Sequence, residues 1–60
     1  MRIWKDQRLA ERLLGGYPDA RDSSGRLLSP DAFERIVVPE IAAMYGKRAV
    51  PPLDNLVIEV

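Results

Sequence analysis

SPDAFERIVVPEIAAMYG, residues 29–46, decides the fold, because it specifies where a helix begins, where it bends and where it stops. Ser29 is placed to accept a hydrogen bond from the free N–H groups of a first turn. Pro30 stands where a missing N–H costs nothing, and Asp31 complements the positive end of the helix dipole. Leu28 and Phe33 flank this start with the spacing of a hydrophobic staple. Gly46, followed by Lys47 and Arg48, gives a glycine stop with cations beside it.

The same stretch carries one internal conflict. As a single straight helix, Phe33, Ile36, Val37, Ile41 and Met44 would form a broad apolar face with Glu40 inside it. Pro39 would also lose a backbone hydrogen bond and press on the carbonyl of Arg35, at a cost of about 3 kcal/mol. Both problems disappear if the helix breaks before Pro39, so the sequence predicts two helices, Pro30–Val38 and Pro39–Tyr45. Glu40 then caps the positive end of the second. The alternative is a buried Glu40 neutralised by an arginine from a partner chain, because an unpaired buried carboxylate is prohibitive.

Upstream, Asp6 reads as a cap and Gln7–Leu14 as a first helix that ends at Gly15-Gly16. Eight residues are too few to hold a helix alone, so it must dock through Leu9, Ala10, Leu13 and Leu14. Between the helices, Tyr17-Pro18-Asp19 and Asp22-Ser23-Ser24-Gly25 are turn signals, and Arg26–Leu28 can pair with Asp19–Arg21 as a small hairpin. Downstream, Val50-Pro51-Pro52 is stiff and extended. Leu56-Val57-Ile58-Glu59-Val60 is a strand by composition. It pairs either with Met1–Trp4 or with the sheet edge of a partner.

The resulting expectation is a mostly α or α+β fold with two to three short helices and short terminal strands. Residues 1–46 form a small helical domain, and 47–60 an extended arm ending in a strand. The predicted core is Leu9, Leu13, Leu14, Phe33, Ile36, Val37, Ile41 and Met44.

Sixty residues with no cysteine have no disulfide or thiolate metal site to staple them. Apolar burial and the entropy of ordering roughly cancel at this size, so stability is expected from a protein partner. The lack of cysteine favours a cytoplasmic location, and no apolar run is long enough to span a membrane. Net charge is zero, with residues 1–26 at +2 (six basic, four acidic) and 27–60 at −2 (three basic, five acidic).

Histidine is absent as well, which removes the commonest general base and metal ligand. Asp19, Asp22 and Asp31 lack ligand spacing, the serines have no activating base, and the glycines do not form a phosphate loop. No enzyme activity, cofactor or metal is therefore expected. The chain is expected to work by associating with itself or with a larger subunit, with Trp4, Leu56, Val57, Ile58 and Val60 at the interface. The rival reading is a small DNA-binding or antitoxin-like protein whose Arg2, Lys5, Arg8, Arg12 and Arg26 contact phosphates. YPDARDSSGRLLSPDAFERI, residues 17–36, resembles the wing-plus-helix segment of winged-helix regulators of the mercury-resistance type, with Gly25-Arg26 at the wing tip. Those regulators place two helices before the wing, and this chain has one.

Overall fold

The computed structural model describes every residue from Met1 to Val60. Strand β1 (Arg2–Trp4) is followed by helix α1 (Gln7–Leu14), helix α2 (Pro30–Tyr45) and strand β2 (Val57–Glu59). Single 3₁₀ turns lie at Lys47–Ala49 and Leu53–Asn55. The protein is thus mostly helical, with short strands at its ends. No helix is long and apolar enough to cross a membrane.

Capping explains where each helix sits. Asp6 Oδ1 accepts from the Arg8 and Leu9 N–H groups at 3.1 and 3.2 Å, and α1 ends where the Gly15 N–H reaches Glu11 O at 2.9 Å. Ser29 Oγ accepts from the Ala32 N–H at 3.3 Å, with Pro30 in the first turn behind it. At the other end, Gly46 takes φ +91°, open to glycine and strained for other residues, while its N–H still reaches Ala42 O.

The predicted break at Pro39 does not occur: α2 runs unbroken through it. At 100° per residue, Pro39 lies on the far side of the helix from Phe33, Val37 and Ile41, and it is exposed. The carbonyl of Arg35 that loses its partner therefore faces water, which satisfies it. Glu40 is neither a cap nor the partner of an arginine. It is half-buried beside Asp19, which holds φ +62°, and the hydrogen bond that its protonated carboxyl donates to Asp19, then desolvation, holds the Glu40 carboxyl above its ordinary range.

This pair carries a pH signature. A carboxyl whose folded value is raised adds stability that is complete below its unfolded value and is lost as pH rises through the folded one. Asp19→Asn keeps a residue that tolerates positive φ and removes the like charge. Glu40 in that variant is expected to titrate lower, and the chain to lose less stability as pH rises past the carboxylate range. A carboxyl-carbon NMR titration checks this, and an unchanged Glu40 midpoint would refute it.

The core is formed by Trp4, Ala10, Leu14, Ala20, Leu27, Phe33, Val37, Ile41 and Leu53. Phe33 is fully enclosed, with the Trp4 and Tyr17 rings set edge-on to it at 6.0 and 6.3 Å. Four predicted core residues, Leu9, Leu13, Ile36 and Met44, are exposed. Helix α1 is rolled so that Ala10 and Leu14 face inward, with Glu11 half-buried against Arg21 at 3.1 Å. That roll leaves Leu9 and Leu13 outside. Ile36 lies at the flank of the buried arc of α2, and Met44 is exposed in its last turn.

The connection between the helices supplies two of the core side chains. Arg21 and Leu27 form an antiparallel bridge, and the Leu28 N–H bonds to Ala20 O at 2.9 Å, which makes the predicted hairpin. Its turn is organised by Asp22, whose Oδ1 accepts from the Ser24 hydroxyl (2.6 Å), the Ser24 N–H (2.9 Å) and the Arg26 N–H (3.0 Å). These bonds, the Ser24 hydroxyl foremost, hold the Asp22 carboxyl below its usual range.

Residues 47–60 are not a separate arm. Val50 is extended as expected, but the two 3₁₀ turns redirect the chain, Leu53 enters the common core and β2 returns to β1. Residues 1–46 and 47–60 share one domain.

Candidate functional site

The terminal sheet sorts the predicted interface residues by face. β1 and β2 run antiparallel with Arg2 opposite Glu59, Ile3 opposite Ile58 and Trp4 opposite Val57. Met1 and Val60 extend the ladder: the Val60 N–H bonds to Met1 O at 2.7 Å, and the Met1 amino group to Val60 O at 3.2 Å. Alternate residues of a strand face opposite ways. Arg2, Trp4, Val57 and Glu59 share one face, and Met1, Ile3, Ile58 and Val60 share the other, while Leu56, in helical backbone conformation just before β2, packs against the core.

The first face is turned inward. Trp4, expected at an interface, is only 7% exposed, and its Nε1–H donates to Leu28 O at 2.8 Å. It belongs to the chain's own core. Val57 is half-buried against the same core. Arg2 reaches α2, its Nε bonding Asp31 Oδ1 at 2.8 Å and its Nη2 bonding Glu34 Oε2 at 2.5 Å. The bonds to Glu34 and then Asp31 hold the Arg2 guanidinium in its charged form more firmly than usual.

The second face is turned outward and is apolar on both strands. Ile3 and Ile58, directly opposite one another, are 40% and 42% exposed, and Met1 and Val60 are 77% and 70% exposed. Leu56 is half-buried at the margin, beside exposed Lys5. The sheet has two strands only, so nothing in the chain extends it. Of the side chains on this face, sequence reasoning named Ile58 and Val60 but not Met1 and Ile3. Their part follows from the strand register, which an isolated five-residue segment does not reveal. The whole chain exposes 4347 Å², about a tenth above the roughly 4,000 Å² expected for a folded chain of this mass.

The predicted basic stripe is not one surface. Arg2 is engaged by two carboxylates, and Arg26 lies across a cleft of about 740 Å³ from it, near Gln7, Glu11 and Asp31. Arg8 and Arg12 line a different groove, together with Glu11 and Arg21. Glu11 separates the two clefts. Arg21 was missed because it lies in the connection, where no helical spacing draws attention to it. No three carboxylates gather closely enough to hold a metal ion.

The chain matches no family model, no curated protein and no solved structure.

Proposed function

We propose that this chain is a non-catalytic association module whose outer sheet face, Met1, Ile3, Ile58 and Val60, packs against the same face of a second copy. The observation that carries this reading is the cross-strand register, which gathers four exposed apolar side chains from the two ends of the chain onto one surface. The side chains of the face are apolar on both strands, with Lys5 at one margin and the Met1 ammonium at the other, so its centre is complementary to itself across a two-fold axis. The absence of histidine and cysteine supports a role without chemistry.

A patch of a few hundred Å² falls short of the roughly 800 Å² per partner of a standard stable interface. Association is therefore weak and concentration-dependent. Sedimentation equilibrium over a concentration series is expected to show mass rising from 6.8 kDa toward twice that value. Ile58→Lys, on the exposed face, is expected to abolish the rise and leave the circular dichroism spectrum unchanged. A 6.8 kDa species at every concentration would overturn the reading. So would self-association that Ile58→Lys does not alter.

A further inference from the structure

We propose that Arg8, Arg12 and Arg21 form a binding site for a small phosphate-bearing anion, independent of the sheet face. A groove of about 520 Å³ is lined by these three arginines and Glu11 alone. Three guanidinium groups against one carboxylate leave the groove with a local charge of +2.

One of the three is held in place. Arg21 Nη1 donates to Glu11 Oε1 at 3.1 Å and to Gly25 O at 2.9 Å. Its other terminal nitrogen passes over Gly15, where a Cβ would collide with the guanidinium and lie 2.5 Å from Glu11 O. The space Arg21 occupies thus exists because residue 15 has no side chain. With Glu11 committed to Arg21, the carboxylate neutralises that one cation.

Arg8 and Arg12 have no such partner, since none of the ion pairs or side-chain hydrogen bonds of the chain includes either side chain. They stand one helical turn apart, where like charges repel. Arg8 also lies in the first turn of α1, at the positive end of the helix dipole, where a cation is disfavoured. Both penalties are relieved by an anion between the two side chains. Guanidinium groups bind carboxylate and phosphate oxygens alike through paired N–H donors, and a groove of local charge +2 favours the multiply charged phosphate over a carboxylate monoanion. The groove has no aromatic or apolar wall, so it reads the phosphate and not whatever the phosphate is attached to.

The test is titration of the full chain with inorganic pyrophosphate at low ionic strength, followed by isothermal calorimetry and by the arginine Nε–H resonances. Saturable binding is expected, with Arg8→Ala and Arg12→Ala each weakening it about tenfold and the pair together abolishing it. Neither side chain makes a bond within the chain, so the variants keep the fold, which circular dichroism verifies. Arg35→Ala, on the exposed side of α2, is expected to change nothing. Failure to saturate, or equal losses in Arg35→Ala, would overturn the proposal. Binding of random-sequence DNA that depends on Arg8 and Arg12, with no binding of pyrophosphate, would overturn it too and point to a polyanion instead.

Discussion

Phe33→Ala is expected to leave the chain largely unfolded at 25 °C. Phe33 is fully enclosed and is the ring on which both Trp4 and Tyr17 pack edge-on. Truncating a buried phenylalanine costs about 3–5 kcal/mol in lost burial and residual cavity. A domain of this length has roughly 3–9 kcal/mol of stability in all. The loss consumes most of it, and the surrounding rings cannot collapse into the gap, because Trp4 is tied to Leu28 O at 2.8 Å. The single tryptophan makes the measurement direct. Urea unfolding followed by Trp4 fluorescence should show a red-shifted emission in the variant without denaturant. A midpoint close to that of the parent chain would show that Phe33 is not the centre of the core.

Pro39→Ala is expected to act in the opposite direction. A proline inside a helix forgoes one hydrogen bond and crowds the preceding turn, at about 3 kcal/mol relative to alanine. Removing it also frees the unfolded chain, which offsets up to about 1 kcal/mol. The net gain is about 2 kcal/mol, and at roughly 4–8 °C per kcal/mol for a small domain the Tm should rise by about 10 °C. Pro39 is exposed on the outer side of α2, so alanine leaves no cavity behind. A fall in Tm would show that the proline ring packs against something that matters.

These two residues mark what was legible in the sequence. Caps are local, so Asp6, Ser29 and Gly46 place the helix ends without knowledge of the rest of the chain. Pro39 was misread because its penalty depends on which way the Arg35 carbonyl points, and that is settled by the packing of the other face. Leu9 and Leu13 look like core residues on a helical projection of α1 alone. Their exposure follows from the roll imposed by Glu11 and Arg21, a pair ten residues apart. Ala20, Leu27 and Leu53 contribute to the core from segments with no periodicity to announce them. For the site, composition pointed to the apolar final strand, but only its pairing with residues 1–5 separates Ile58 and Val60 from Val57 and Trp4.

The pairing of Met1 with Val60 also sets an order of events during folding. That contact spans 59 positions, so it encloses nearly the entire chain and is the most expensive loop to close in entropy. The hairpin at Arg21 and Leu27 and the two helices need only nearby residues and form before it. Until β2 pairs with β1, Trp4 waits without the strand beside it. The outer apolar face assembles last, when residues 57–60 are free to reach the beginning of the chain.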